Sequence, residues 1–216
     1  MNYVLVVALA DELEGIQGNY NTVITGVGKI NATLALAKYL TNNPDTELVI
    51  NYGTAGGIDP NMKGMLHIGK FVQADMDCRE FGFDQYQTPF ETNTQEIIVD
   101  NKGFTCYTQD KFATTKPDGY CNVVDMEAYA LAKVCMHFGV NFKCMKFISD
   151  IIGQGDQTSE WEANKALGVE MFESSLREII KWTILIRIFT LTLVHYILHL
   201  HLCCSCYGQV RLKQTK

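Results

Sequence analysis

An apolar run leads into a glycine-rich turn in the stretch Leu48-Val49-Ile50-Asn51-Tyr52-Gly53-Thr54-Ala55-Gly56-Gly57. Short runs that are rich in valine and isoleucine and end at glycine predict buried strands. Glycines and small residues after such a strand let the backbone approach a ligand closely, although a crowded turn explains them equally well on its own. The stretch therefore predicts a buried strand whose carboxyl end lies at a crowded turn or at a binding crevice.

Two more apolar runs end in acidic residues. Tyr3-Val4-Leu5-Val6-Val7-Ala8 leads into Asp11-Glu12, and Cys144-Met145-Lys146-Phe147-Ile148 leads into Ser149-Asp150. In open α/β sheets, ligands bind beyond the carboxyl ends of the strands, so we expect these residues to converge on one crevice. Two carboxylates and a glycine-rich turn in one pocket indicate acid–base chemistry on an uncharged, polar small molecule.

Helix-like segments alternate with these strands. The first opens at Gly28 and is ended by the sequence Asn42-Asn43-Pro44, the second runs over 125–138 and is closed by Gly139, and the third covers 159–182. Thr158 or Ser159 is the expected cap of the third helix. Alternation of this kind predicts an α/β fold with a mainly parallel or mixed sheet covered on both faces.

Length, charge and cysteine usage narrow the class of protein. A chain of 216 residues can bury a sizeable core as one domain. A net charge of −6 argues against a nucleic-acid binder, which normally shows a basic face. Five of the eight cysteines lack metal-ligand spacing, and Met1 is followed at once by a strand rather than by a secretory signal. We therefore expect reduced thiols and a cytoplasmic protein.

The C-terminal segment breaks the pattern. Residues 182–202 are nearly all apolar, interrupted by an arginine and three histidines, and Cys203-Cys204-Ser205-Cys206 follows. A membrane helix needs about 20 apolar residues, so this run is nearly long enough to anchor the chain to a membrane. The histidines and cysteines also suggest a metal cluster, but their spacing is irregular. We favour a third interpretation, in which 1–182 is the catalytic domain and 183–216 is an appended tail outside it.

Two acidic positions carry both a structural and a functional interpretation. Asp125-Met126-Glu127 opens a predicted helix, and the helix dipole alone can account for acidic residues at such a position. A carboxylate there can also accept hydrogen bonds from the vicinal hydroxyls of a sugar. Asp150 is either a turn residue or, in a partly desolvated crevice, a general acid. The segment Gly26-Val27-Gly28-Lys29 lacks the spacing of a phosphate loop or a dinucleotide fingerprint, so we interpret it as a tight strand-to-helix turn.

Taken together, these segments resemble the nucleoside phosphorylase and nucleosidase superfamily, and within it the 5′-methylthioadenosine/S-adenosylhomocysteine nucleosidases. The resemblance covers about residues 1–181 and keeps the family's order of motifs. The matching segments are Ala8-Leu9-Ala10-Asp11-Glu12, Thr25-Gly26-Val27-Gly28-Lys29-Ile30-Asn31-Ala32, Asn51-Tyr52-Gly53-Thr54-Ala55-Gly56-Gly57-Ile58, Gln109-Asp110-Lys111-Phe112, Asp125-Met126-Glu127-Ala128 and Ile148-Ser149-Asp150. The resemblance implies a three-layer α/β/α sandwich around a twisted mixed sheet, usually a homodimer, that acts without metal or cofactor.

The resemblance also implies roles for individual residues. Asp150 corresponds to the acid that protonates the purine N7, and Glu12 to the carboxylate that activates the attacking water. The other implied contacts are with the substrate. Met126 and Glu127 contact the ribose, Glu127 through the 2′ and 3′ hydroxyls, and Thr54 and Gly56 lie below the sugar. Phe112 stacks on the base, and the backbone of Ala113 contacts the base. The implied reaction is hydrolysis of a purine nucleoside of the methylthioadenosine or S-adenosylhomocysteine type, in methionine salvage.

Departures from the family pattern leave alternatives open. Asp125 stands where the nucleosidases commonly have glutamate, and Lys146 where they often have arginine. Phosphorylases of the superfamily bind phosphate with arginines, one of which stands just before the glycine turn. At that position this chain has Asn51, and the first arginine in this chain is Arg79. We therefore predict hydrolysis, with a purine nucleoside phosphorylase, or a non-catalytic nucleoside-binding or storage protein of the same fold, as alternatives.

We expect a homodimer whose interface includes part of the 70–92 region. That region contains many aromatic residues and has few helical constraints, and exposed apolar patches of this kind usually mark association surfaces. The alternative is that the aromatic rings fill the core. The residues concerned are Phe71, Phe81, Phe83, Tyr86 and Phe90.

Overall fold

The computed structural model describes residues 2–91, 95–182 and 185, and within them the chain alternates strands and helices as the sequence predicts. The strands are β1 (Tyr3–Val7), β2 (Thr22–Ile24), β3 (Leu48–Gly57), β4 (Met65–Gln73), β5 (Glu96–Ile98), β6 (Phe104–Thr108), β7 (Val123–Asp125) and β8 (Asn141–Ile151). The helices are α1 (Lys29–Asn42), α2 (Ala128–Phe138) and α3 (Gln157–Asn164), and short 3-10 turns cover Ala10–Leu13 and Arg79–Phe81. Residues 169–182 are also helical.

The chain divides into two compact units, Met1–Glu173 and Ser174–Lys216. All the strands and α1 to α3 belong to the first unit. Of the second unit, the structure describes 174–182 and 185, which are helical. In the described part of the chain, no helix is long and apolar enough to cross a bilayer. The membrane-anchor and metal-cluster interpretations of the tail concern residues outside the described ones, so both stay predictions.

The eight strands form one mixed sheet. β1 pairs in parallel with β2 and β3, and β3 pairs in parallel with β8 along most of its length. The carboxyl end of β3 also pairs with β7, antiparallel, through Gly56 and Gly57. β7 then pairs with β6, β6 with β4, and β4 back with β8, so five strands close into a ring. The ring gathers the ends of β3, β7 and β8 around one opening.

Helices cover both faces of the sheet. Alternate residues of the strands point to opposite faces, so Val4, Val6 and Val49 pack with α1 and α2 in the main hydrophobic cluster. On the other face, the ring of Tyr52 stacks on that of Phe172, with the centroids 4.3 Å apart. The prediction of an α/β/α arrangement around a mixed sheet is confirmed.

Several predicted boundaries are corrected. Residues 53–57 are not a turn but the second half of β3, because their backbones pair with β8 and β7. The second helix begins at Ala128 rather than at 125, since Val123–Asp125 is a strand. The helix predicted over 159–182 is broken by a turn at 165–168.

The cap of α3 is Asp156 rather than Thr158 or Ser159. Its carboxylate accepts hydrogen bonds from the backbone N–H and the hydroxyl of Ser159. Gly168 lies in the turn that follows α3, and a β-carbon there would lie 2.5 Å from the Tyr52 hydroxyl and 2.6 Å from the Phe147 ring. The turn therefore lies close against the sheet, where only a residue without a side chain fits.

One aromatic residue of the expected interface lies in the core. Phe71 is fully buried in β4 and packs against Phe142. Phe81 and Phe90 are 82% and 93% exposed, so they remain available for association. The prediction was therefore wrong for Phe71, whose side chain lies on the inward face of β4.

Candidate active site

A cavity of about 300 Å³ opens where β3, β7 and β8 end. All eight residues predicted for the site line this cavity, although they come from distant parts of the chain. They are Glu12, Thr54, Gly56, Phe112, Ala113, Met126, Glu127 and Asp150. The structure therefore brings together every predicted site residue, while their chemical roles stay predictions.

Glu12 is a buried carboxylate with three backbone donors. It lies in the 3-10 turn after β1, and its Oε2 accepts hydrogen bonds from the N–H groups of Ala8 and Leu9, both 3.0 Å. Its Oε1 accepts from the Thr54 N–H at 3.1 Å. Burial raises the pKa of Glu12, and the nearby charge of Lys146 and these donors oppose the rise. Glu12 is therefore held in a fixed orientation at the wall of the cavity.

The glycines of β3 leave room for the acidic side chains. A β-carbon at Gly53 would lie 3.1 Å from Oε1 of Glu12 and 3.2 Å from Nζ of Lys146. One at Gly56 would lie 2.8 Å from Ile152 and 3.2 Å from Oδ2 of Asp150. The sequence left open whether the glycine-rich stretch admits a ligand or forms a crowded turn. In the structure, Gly53 and Gly56 make room for neighbouring side chains, and Gly56 also lines the cavity.

Asp150 lies near the end of β8 and is only 5% exposed. The Ser149 hydroxyl donates to its Oδ1 at 2.7 Å, and the Gln157 side-chain amide donates to its Oδ2 at 2.9 Å. Asp150 is therefore a buried strand residue and not a turn residue. Each carboxylate oxygen has one protein donor, and the residue also faces the cavity.

Asp125 organises the start of α2. It is fully buried, and its Oδ2 accepts from the backbone N–H groups of Glu127 and Ala128 at 3.2 and 2.8 Å. Its Oδ1 accepts from the Thr108 hydroxyl at 2.6 Å. Lys146 completes the set with an ion pair to Oδ2 at 2.8 Å. These contacts fix the backbone that carries Met126 and Glu127 into the cavity.

Glu127 faces the cavity and also holds the turn before α1. Its Oε1 accepts from the N–H of Gly28 at 2.9 Å, and Gly28 has a φ of +94° that favours glycine. Burial and the negative charge of Asp125 raise the pKa of Glu127 to about 7. The Gly26–Gly28 segment, interpreted from the sequence as a plain turn, is thus tied to a predicted ribose-binding residue.

The segment that carries Phe112 and Ala113 is anchored by a charge cluster. The carboxylate of Asp110 accepts from the backbone N–H of Lys29 at 2.8 Å, and its own N–H donates to Asp75 at 2.9 Å. The ammonium of Lys29 lies 2.6 Å from Asp75 and 3.2 Å from Asp110. The start of α1 therefore holds the segment whose Phe112 ring and Ala113 backbone line the cavity.

Sequence reasoning missed two residues. Trp161 on α3 lines the cavity, and its indole N–H donates to the Thr54 hydroxyl at 3.1 Å. Gln157 contacts Asp150 from behind the cavity wall. Each lies within eleven residues of Asp150 in the chain, but only the return of α3 onto the sheet brings them to the site. The one available signal in the sequence was that a helix is predicted soon after Asp150, so that residues at the start of this helix could lie near the site.

The cavity is acidic. Four carboxylates line it, those of Glu12, Asp125, Glu127 and Asp150, and Lys111 is the only cation among its described lining residues. Lys146 lies behind it, paired with Asp125. Within the described residues, no group of three or more histidine, cysteine or acidic side chains is placed to hold a metal ion. The arrangement is suited to stabilising positive charge on a bound molecule.

Comparison with known proteins gives one family. The model of the Phosphorylase superfamily matches residues 97–181. A 5′-methylthioadenosine/S-adenosylhomocysteine nucleosidase from Anoxybacillus flavithermus is 32% identical over 165 residues, covering 62% of this chain and 69% of the relative.

Two solved structures share the fold. That of the 5′-methylthioadenosine/S-adenosylhomocysteine nucleosidase from Colwellia psychrerythraea 34H in complex with adenine has a TM-score of 0.67 at 20% identity, covering 78% of this chain and 90% of that one. The native structure of futalosine hydrolase from Helicobacter pylori strain 26695 has a TM-score of 0.71 at 18% identity, covering 82% and 97%. At these identities, the similarity is evidence for the fold alone.

Proposed function

The chain belongs to the 5′-methylthioadenosine/S-adenosylhomocysteine nucleosidase family, and on that premise we propose that it hydrolyses the N-glycosidic bond of a 5′-thio-substituted adenine nucleoside. The products are adenine and the corresponding 5-thioribose. The observation that supports this most is that the buried carboxylates of Glu12 and Asp150 line one cavity with Glu127.

The proposed chemistry uses these three carboxylates. As the bond between C1′ and N9 breaks, positive charge develops on the ribose, and the surrounding carboxylates stabilise it. Asp150, entering the reaction protonated, donates its proton to N7, so that the base leaves neutral. Water adds its oxygen to C1′ and gives a proton to Glu12. Glu127 accepts hydrogen bonds from the 2′ and 3′ hydroxyls, and Phe112 stacks on the base.

The charge of the cavity favours water over phosphate as the nucleophile. A phosphate dianion needs fixed donors such as arginine guanidinium groups. Arg79 is instead exposed and paired with Asp77 at 2.6 Å. The described lining of the cavity holds no arginine, and Lys111 is its one cation, so it offers a phosphate dianion few fixed donors. These observations disfavour the phosphorylase alternative.

An adenine-release assay tests the proposal. Purified protein is incubated with 5′-methylthioadenosine in the presence and absence of phosphate, and the sugar product is identified. We expect adenine and free 5-methylthioribose at a rate independent of phosphate. Phosphate dependence with a sugar 1-phosphate as product supports the phosphorylase alternative, and binding without release supports a storage protein.

A homodimer and a cytoplasmic location are part of the proposal. The groove between α1 and α2 is apolar, and Ile30 and Leu34 on its rim are 72% and 65% exposed, so this face and the exposed Phe81 and Phe90 would be covered in a dimer. Light scattering of the purified protein and of Leu34→Glu checks this, because a charge there should yield monomers. The five cysteines in the described part of the chain are free thiols, as in a reducing compartment.

A further inference from the structure

Gln157 joins two cavity residues from behind the cavity wall. It is the first residue of α3, is 8% exposed and is not among the residues that line the cavity. Its Nε2 donates to Oδ2 of Asp150 and to the carbonyl oxygen of Ala113, both at 2.9 Å. One amide group therefore connects Asp150, the proposed general acid, with the backbone of Ala113, which is proposed to contact the base.

The orientation of this amide is fixed by a third contact. The Gln157 Oε1 accepts from the backbone N–H of Gly153 at 3.1 Å. An N–H is a donor only, so the amide oxygen must face Gly153 and the NH₂ group must face the two acceptors. Both N–H bonds of Gln157 are then used, and Oδ2 of Asp150 and the Ala113 carbonyl are both held as acceptors.

The two oxygens of Asp150 therefore have different freedom to carry a proton. Oδ2 receives an N–H that cannot become an acceptor, so a proton is disfavoured there. Oδ1 receives the Ser149 hydroxyl at 2.7 Å, but that hydroxyl also lies 3.5 Å from the carbonyl oxygen of Ala55 and can donate there instead, which leaves Oδ1 free to carry a proton toward the base. Protonated Asp150 thus presents an O–H at Oδ1 and a lone pair at Oδ2, which is the complement of a purine edge with an acceptor at N7 and an amino group at C6.

We propose that Gln157 is a positioning residue that fixes which oxygen of Asp150 carries the proton and so makes the site specific for 6-aminopurines over 6-oxopurines. The inference rests on the proposed function. A 6-amino group donates to Oδ2 and to the Ala113 carbonyl, each of which has a second lone pair. A 6-oxo group instead places an acceptor against these acceptors, and unpaired polar groups in a desolvated site are costly.

The test is the preference for 5′-methylthioadenosine over 5′-methylthioinosine, measured as the ratio of kcat/KM values. Gln157→Met keeps the approximate volume but removes both donors, and Gln154→Met, at an exposed position in the loop before α3, is the matched control. We expect Gln157→Met to lower kcat/KM for methylthioadenosine about tenfold or more and the preference about tenfold, the effect of losing a hydrogen bond worth ~1.4 kcal/mol. The control should leave both unchanged.

A structural role alone would lower the activity and the melting temperature but not the preference. An unchanged preference, or rates within twofold of the original chain, would overturn the inference. If Gln157→Met fails to fold, Gln157→Asn, whose amide is too short to reach both acceptors, decides the question by the same ratio. The ratio of the inhibition constants of adenine and hypoxanthine gives a second measure of the preference for 6-aminopurines. If Asp150→Asn is fully active, the proposed function itself has failed, which is a separate outcome.

Discussion

The ammonium of Lys146 lies 2.8 Å from the carboxylate of Asp125, and their side chains are 2% and 1% exposed. These are two of the positions at which the sequence departs from the pattern that the resemblance implies, with aspartate for glutamate and lysine for arginine. The departures are therefore partners in one ion pair, and both charges are retained. Burial opposes ionisation of both groups, but their attraction still leaves the pKa of Lys146 raised and that of Asp125 lowered.

Removing one partner of this pair should destabilise the protein strongly. Lys146→Met leaves Asp125 buried without its counter-charge, and breaking a buried pair in this way costs about 3–5 kcal/mol. Urea denaturation monitored by circular dichroism gives the loss in the free energy of unfolding. The control is Lys146→Met combined with Asp125→Asn, which should lose less because no unpaired charge remains. If both variants lost the same free energy of unfolding, the unpaired charge of Asp125 would not be the cause of the loss in Lys146→Met.

The stability should also depend on pH through Glu127. Its pKa is about 7 in the folded protein against 4.5 for an ordinary glutamate, so the folded state binds the proton more tightly than the unfolded state. The stability that this proton contributes is fully present below about pH 4.5 and is lost as the pH rises through 7. At about 1.4 kcal/mol per unit, the loss is on the order of 3 kcal/mol.

Comparison with Glu127→Gln isolates this contribution. We expect the free energy of unfolding of the original chain, relative to the variant, to fall between pH 5 and pH 8. Glu12, whose pKa is also raised by burial, is present in both proteins, so only its electrostatic coupling to Glu127 enters the comparison. A constant difference across this range would contradict the assignment of a proton to Glu127.

Asp150→Asn should abolish most of the proposed activity. The amide cannot donate a carboxylic proton to the leaving base, and loss of a general acid typically costs about 10²–10⁴ in rate. Stopped adenine-release assays under single-turnover conditions measure the chemical step. Asp45→Asn is the control, because Asp45 is exposed and its carboxylate contacts only the Asn2 amide among the described hydrogen bonds. Near-full activity of Asp150→Asn would remove Asp150 from the mechanism.

The glycines of β3 explain what the sequence could and could not predict. The apolar run and the glycines predicted a buried strand that ends at the site, because strand composition is a local property. The sequence could not show that Gly53 and Gly56 also make room for the side chains of Glu12 and Asp150, since those side chains come from other parts of the chain. Trp161 and Gln157 were missed for the same reason, as their place depends on how α3 returns to the sheet.

Gly56→Ala should impair activity by displacing Asp150. The added β-carbon would lie 3.2 Å from Oδ2 of Asp150 and 2.8 Å from Ile152. Ile152 must shift and Asp150 must give by a few tenths of an ångström, so we expect a loss of about tenfold in kcat/KM, less than the roughly 10²-fold that a displacement of about 1 Å can cost. Gly57→Ala is the matched control, because the nearest atoms to its β-carbon belong to apolar side chains, those of Ile151, Ile148 and Met62. Equal effects of the two substitutions would indicate general strain in β3.

Residues 183–216 should be dispensable for catalysis. All eight candidate site residues precede them, and so do all the strands in the described part of the chain. Apart from Arg187, the sequence from Ile184 to Val194 has no charged residue, and its apolar residues follow no one-sided helical pattern, so it should favour lipid, another chain or aggregation. We therefore expect a chain truncated after Trp182 to be soluble and to release adenine at the rate of the full chain. Sedimentation of both chains with phospholipid vesicles tests the membrane alternative, in which only the full chain is bound. Failure of the truncated chain to fold, or loss of adenine release from a folded one, would place the tail within the catalytic domain.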